Sequence, residues 1–219
     1  MIMKKKVIKQ PITITETIFR FIKKSIINGE FKPDQRLHEK EIAELFSTTP
    51  TREAFQRLSA EKYLILNARK EVIVAGLSPE GIKELYEVIR VLDVFSAKKA
   101  LEIITDKDIS ELKKMTDRLS ELYKEKNIQA YIKQNSKIHE KLWKNCGNEF
   151  LYQSLMDLLE KALAFGNQVN SYFSSIPPYF ERSFKDHNEL MAAVEKRDAA
   201  EVEKILSSHW GKDYYNSQN

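Results

Sequence analysis

Apolar positions recur at helical spacing along most of the chain. Ile18, Phe19, Ile22 and Ile26 predict a helix over about Thr15–Ile27. Asn28-Gly29 closes it, because glycine accepts the left-handed conformation of a helix C-terminus. Phe31–Gln35 reads as a turn, and Leu37 leads into a second helix, about Glu39–Phe46, with Ile42, Ala43, Leu45 and Phe46 apolar. Ser47-Thr48-Thr49-Pro50 reads as the N-terminus of a third helix, with hydroxyl caps and a proline near the first turn. That helix runs to about Glu61 and buries Ala54, Phe55 and Leu58. The period then changes. Tyr63–Leu66 and Val72–Ala75 are β-rich runs around the polar stretch Asn67–Glu71, the pattern of a short hairpin.

From Ser78-Pro79-Glu80 onward the helical period returns and persists. Ile82, Leu85, Ile89, Leu92, Leu101 and Ile104 line one long helix, and Ile109, Leu112, Met115, Leu119 and Leu122 the next. Further helices are expected over Tyr131–Cys146, Phe150–Phe165, Tyr179–Lys196 and Asp198–Tyr214, with Gly147 and Gly166 as C-caps and Asn170–Pro178 as a loop. The expected fold is mainly α. Residues 1–77 form a winged helix-turn-helix with a small β-hairpin, and residues 78–219 form an all-α helical bundle.

Composition sharpens this picture. Glycine and proline together number only 12 of 219 residues, which disfavours a turn-rich all-β fold. No apolar run reaches the roughly 18–20 residues of a membrane span, and no apolar segment follows the basic start, so no membrane partner or secretory signal is expected. The single cysteine, Cys146, excludes an internal disulfide framework and fits a cytoplasmic location. The net charge of +4 is uneven. Through Ala75 there are 15 Lys and Arg against 9 Asp and Glu, and thereafter 21 against 23, so the front of the chain is the part suited to a polyanion.

The third helix fits double-stranded DNA. A helix entering the major groove N-terminus first presents free backbone N–H groups and its positive dipole end to phosphate. Ser47, Thr48, Thr49 and Thr51 supply hydroxyls, and Arg52 can fork onto guanine or phosphate. Arg36 and Lys40, near the second helix, suit phosphate contacts, and Arg69 and Lys70 sit at the hairpin tip. Each residue alone also fits an ordinary helix cap or surface ion pair; together with the hairpin and the basic front they point to DNA.

Three of the four histidines, His139, His187 and His209, fall on three different predicted helices of the rear domain. Asn135 lies one turn before His139 on the same face. Imidazoles from three helices converging in a bundle would form a facial site for a divalent metal, Zn or Ni, with open positions. Spacing alone leaves this beside the alternative of three unrelated packing histidines. Trp143 and Trp210 read as helix-packing aromatics, and no phosphate loop, dinucleotide fingerprint or nucleophile elbow occurs.

Two stretches, Arg36-Leu37-His38-Glu39-Lys40-Glu41-Ile42-Ala43-Glu44 and Thr49-Pro50-Thr51-Arg52-Glu53-Ala54-Phe55-Gln56-Arg57-Leu58, resemble the helix-turn-helix of the GntR superfamily of bacterial regulators. Leu77–Glu80 with Leu85–Val88 resembles the junction into the effector domain of its FCD branch. The resemblance implies a homodimeric repressor on an operator, controlled by a small carboxylate effector held beside a divalent metal in the rear domain. It also implies a metal set of one Asp and three His. Here the matching positions are Asn135, His139, His187 (in Asp186-His187) and His209, so the acidic ligand is replaced by an amide. Arg90, displaced by one position from the family's arginine, and Arg182 are the cationic candidates for the effector. The turn before the third helix is about two residues shorter than in the family, Thr48 replaces an arginine, and Glu71 replaces the wing glycine. The competing class, a three-histidine metalloenzyme in a helical bundle, accounts for the histidines but not for the front domain.

Overall fold

The computed structural model describes residues 12–46, 51–67, 71–173 and 177–210. The chain divides into two compact units, Met1–Gly76 and Leu77–Asn219.

In the first unit, α1 (Ile14–Ile27) begins at Thr13, whose hydroxyl accepts the Glu16 N–H, and ends before Gly29, which takes φ +74°. Its buried face, Ile18, Phe19, Ile22 and Ile26, is the face expected. β1 (Arg36–Leu37), α2 (Glu39–Phe46), α3 (Thr51–Ala60), β2 (Leu64–Leu66) and β3 (Val72–Val74) follow. The sheet has three strands in the order β1-β3-β2, all antiparallel, with Leu64 opposite Val74 and Leu37 opposite Val72. The expected two-stranded hairpin thus gains a third strand. Leu37 precedes α2 (Glu39–Phe46) as expected, and it also forms part of β1. It is buried against the free edge of β3, and a two-residue strand is too short to show a period. Phe55, Leu58, Tyr63, Leu64 and Val74 complete the core between α3 and the sheet.

The second unit is helical throughout its described residues. α4 (Pro79–Ile103) starts at the Ser78 cap, and α5 (Asp106–Lys124) at a reciprocal capping box of Thr105 and Asp108. α6 (Ile128–Lys144), α7 (Glu149–Phe173), α8 (Pro177–Glu195) and α9 (Ala199–His209) complete it. Leu119, Leu142, Val202 and Leu206 lie in one continuous core, with Tyr123 stacked on Phe184 at 4.2 Å between ring centres. Gly147, just past α6, takes φ +68°, as a helix-ending glycine does. Gly166 does not end a helix: α7 continues through it to Phe173. A helical glycine costs about 1 kcal/mol relative to alanine, which is too little by itself to end a 25-residue helix. Of the loop expected over Asn170–Pro178, residues 170–173 belong to α7 and 177–178 open α8, while 174–176 lie outside the described residues. No described helix is long and apolar enough to cross a membrane.

Candidate metal centre and nucleic-acid interface

His139 comes from α6, His187 from α8 and His209 from the end of α9. All three are buried, and one potential ligand atom from each lies within 4.8 Å of the others. Their outer nitrogens are held in a common pattern. Nδ1 of His187 is 2.7 Å from the Ser183 carbonyl. A carbonyl only accepts, so Nδ1 carries the proton and the neutral ring presents its Nε2 lone pair. Nδ1 of His209 is 3.0 Å from Asp186 Oδ2, which makes Nε2 the ligating nitrogen in any cation complex that keeps this bond. Nδ1 of His139 lies 3.2 Å from Asp93 Oδ2, a close electrostatic contact outside the angular range of a formed hydrogen bond.

One pair of inner nitrogens has the spacing that a shared cation needs. Nε2 of His139 and Nε2 of His187 stand 3.2 Å apart. Two nitrogens each about 2.05 Å from one ion stand roughly 2.9–3.4 Å apart for angles of about 90–110°. Two of the rings are also pushed toward the neutral form, as ligation requires. Burial, together with the charges of the neighbouring histidines, holds His187 well below the ordinary histidine value. Burial likewise lowers His209, against the opposing pull of Asp186.

Asp93, on α4, is a site residue that sequence reasoning missed. It is fully buried and accepts the indole N–H of Trp143 at 2.6 Å and that of Trp210 at 2.5 Å. Burial alone would raise its carboxyl, but the adjoining His139 and the two indoles hold it below the usual value. The signal in the sequence was a single acid on the apolar stripe between Ile89 and Ala97. Trp210, expected only to pack helices, instead bonds Asp93 and stacks on Tyr86 at 5.5 Å.

A cavity of about 60 Å³ adjoins the centre, lined by Asn135, Ser136 and His139 with Tyr86, Phe180 and Trp210 among others. Such a volume holds about two waters at about 30 Å³ each, the scale of the carboxylate end of a small organic acid. Its described lining contains no Lys or Arg. Arg90 is not among the lining residues, and Arg182 donates to the carbonyl and hydroxyl of Ser208.

In the first unit, Arg52 projects from the first turn of α3 and is exposed; Gln56, one turn on, shares its face and was not singled out from sequence. Lys40 is exposed, with Glu44 at 3.9 Å. Arg36 pairs with Glu71 of the hairpin at 3.0 Å, and its side chain remains exposed. Thr51 is fully buried, which places its hydroxyl away from any groove. Ser47, Thr48, Thr49, Arg69 and Lys70 lie outside the described residues.

Known families match both units. The bacterial regulatory proteins of the gntR family match residues 14–74, and the FCD domain matches residues 84–212. The chain belongs to the GntR family, FCD class. This GntR regulator is 23% identical to the HTH-type transcriptional regulator YdhC of Bacillus subtilis (strain 168) over 195 residues, 88% of this chain and 85% of that one. It is 20% identical to the HTH-type transcriptional repressor RspR of Escherichia coli (strain K12) over 198 residues, 90% of this chain and 85% of that one. Its fold is that of E. coli McbR/YncC, with a TM-score of 0.76, 18% identity, and coverage of 95% of this chain and 100% of that one. The GntR and FCD domains, with these relatives, make the protein a transcriptional regulator and not an enzyme.

Proposed function

We propose that this GntR regulator is a homodimeric repressor whose operator affinity is set by a small carboxylate bound beside a divalent cation in the FCD domain. The observation that carries the reading is the convergence of His139, His187 and His209, with Nδ1 of His187 and His209 already engaged outside the centre and a small cavity opening at His139. These three residues would hold the ion, with the Asn135 carbonyl available as a neutral fourth ligand. Nitrogen ligands favour Zn or Ni over Mg or Ca. A bound cation supplies the positive charge that the described cavity lining lacks and so attracts a carboxylate.

Around it the protein's own groups select the acid. Tyr86, Leu159, Leu163 and Phe180 offer an apolar wall, and Asn135 and Ser136 offer polar contacts. Arg182 acts at one remove: its bonds to Ser208 brace the residue beside His209. On the DNA side, Arg52 and Gln56 present one exposed face of α3 for base and phosphate contact, with Lys40 for the backbone. Val88, Val91 and Phe95 form an exposed apolar stripe on α4, 48%, 62% and 54% exposed, and this is where we place the partner subunit. Repression is the direction that the name of RspR supports.

Thermal-shift titration of zinc-loaded protein with a panel of small mono- and dicarboxylates tests the reading. At least one acid should raise the melting temperature of the loaded wild type and leave chelator-treated protein and His139→Ala unmoved. Acid stabilisation that is equal with and without metal would overturn it.

A further inference from the structure

Among the described residues the histidine centre has no anionic ligand: the group that could hold an ion is His139, His187 and His209 alone, with the amide of Asn135 lining the adjoining cavity. Three neutral imidazoles and an amide around a divalent ion would bury two uncompensated positive charges, which is costly in a protein interior. The structure holds its negative charges one shell further out.

We infer that Asp93 supplies the charge that position 135 lacks, and that it does so by fixing His139 with Nδ1 protonated and Nε2 directed at the cation. The inference rests on the metal reading given above. Asp93 has no exposure to solvent, so its charge is not idle surface charge. Two indole N–H groups donate to it, Trp143 on Oδ1 and Trp210 on Oδ2, and once a cation takes Nε2 of His139 the ring proton sits on Nδ1, 3.2 Å from Oδ2, so all three polar groups at Asp93 are then N–H donors. A protonated carboxyl would find no acceptor among them, whereas a carboxylate suits all three. Nδ1 of His139 in turn has no hydrogen-bond partner of its own, and Asp93 Oδ2 is the acceptor beside it.

The other two histidines show the same device completed. Ser183 holds His187 through its carbonyl, and Asp186 holds His209 through its carboxylate. With Asp93 and Asp186 each behind one imidazole, two negative charges stand against the two positive charges of the ion. The two indoles orient Asp93 from opposite sides: Trp143 follows His139 by one turn on α6, and Trp210 is the neighbour of His209. Asp93 is therefore a positioning residue that reaches the ion only through His139. Removal of such an outer partner typically lowers metal affinity about 10–100-fold.

The test is competition for Zn²⁺ between a chromophoric chelator and the full-length protein as wild type, Asp93→Asn, and Asp93→Asn with Asn135→Asp. Asp93→Asn should weaken zinc binding about 10–100-fold while keeping one ion per chain. Adding Asn135→Asp should recover at least about tenfold, because the charge returns as a direct ligand. Undiminished affinity in a folded Asp93→Asn protein would overturn the inference and leave the metal reading standing. Failure of Asn135→Asp to recover affinity would overturn the exchange of charge between the two positions. A wild type that binds no zinc would overturn both readings. Should Asp93→Asn fail to fold, nitrogen NMR of wild type loaded with cadmium-113 decides the matter. Metal coupling to His139 Nε2 with Nδ1 protonated is expected, and coupling to Nδ1 would overturn the inference.

Discussion

Nε2 of His139 and Nε2 of His187 face each other at 3.2 Å, although 48 residues separate them in the chain. Two buried, basic nitrogens at this separation cost free energy unless a proton or a cation lies between them. Purified protein should therefore carry about one Zn or Ni per chain by elemental analysis. His139→Ala and His187→Ala should each reduce this to a small fraction. Chelation should lower the melting temperature of the wild type and not that of the two variants.

Arg52 and Arg57 are close on α3 but do different work. Both are exposed, but Arg57 also lies over the Phe19 ring at 4.2 Å and pairs with Glu16 at 2.9 Å. Arg52→Ala should weaken operator binding roughly 5–100-fold and leave the melting temperature unchanged. Arg57→Ala should lower the melting temperature and affect DNA binding little. Fluorescence anisotropy and thermal melts of the two proteins check both halves.

Phe95 stands 54% exposed on α4, in line with Val88 and Val91 at helical spacing. Phe95→Asp places a charge in the stripe assigned to the partner subunit. Sedimentation velocity should show a dimer for wild type and a monomer for the variant, with operator affinity falling as the second half-site contact is lost.

Lys141 clamps α6 to α5, donating to Asp108 at 2.8 Å and Glu111 at 2.7 Å. The bond from Lys141, aided by Thr105, pulls the Asp108 carboxyl from 3.8 down to about 2. A carboxyl with a lowered folded-state pKa stabilises the fold above its unfolded value and loses that contribution as pH falls through the folded value. Lys141→Met should thus melt about 1–3 °C below wild type near neutral pH. The gap should close between about pH 4 and pH 2 in melts followed by circular dichroism.

Much of this was legible in the chain. The apolar periods of α1, α4 and α5 each have long buried faces, so their helices could be read directly. His139, His187 and His209 could be placed on separate helices, but spacing left their convergence beside the alternative of three unrelated packing histidines, and only the resemblance to the FCD branch favoured it. Three kinds of feature were not legible. β1 is two residues long and exists only because β3 offers it an edge. The continuation of α7 past Gly166 runs against a local preference worth only about 1 kcal/mol, so a lone glycine did not mark a helix end there. Asp93 shows no spacing relation to the histidines, because it meets His139 and Trp210 only through the packing of α4 against α6 and α9. Thr51 was misplaced for a related reason: a helix-start hydroxyl looks alike in sequence whether it caps toward solvent or turns into the core.

The most direct test of the account is anisotropy titration of the metal-loaded protein against DNA from upstream of its own coding sequence. The titration is run at several salt concentrations, with and without the acid selected by thermal shift. The account predicts tight binding that weakens steeply with salt, as phosphate contacts require, and an affinity that changes when the acid is added. A folded, metal-loaded protein with no salt-sensitive binding to that DNA, or with binding indifferent to every acid that stabilises it, would contradict it.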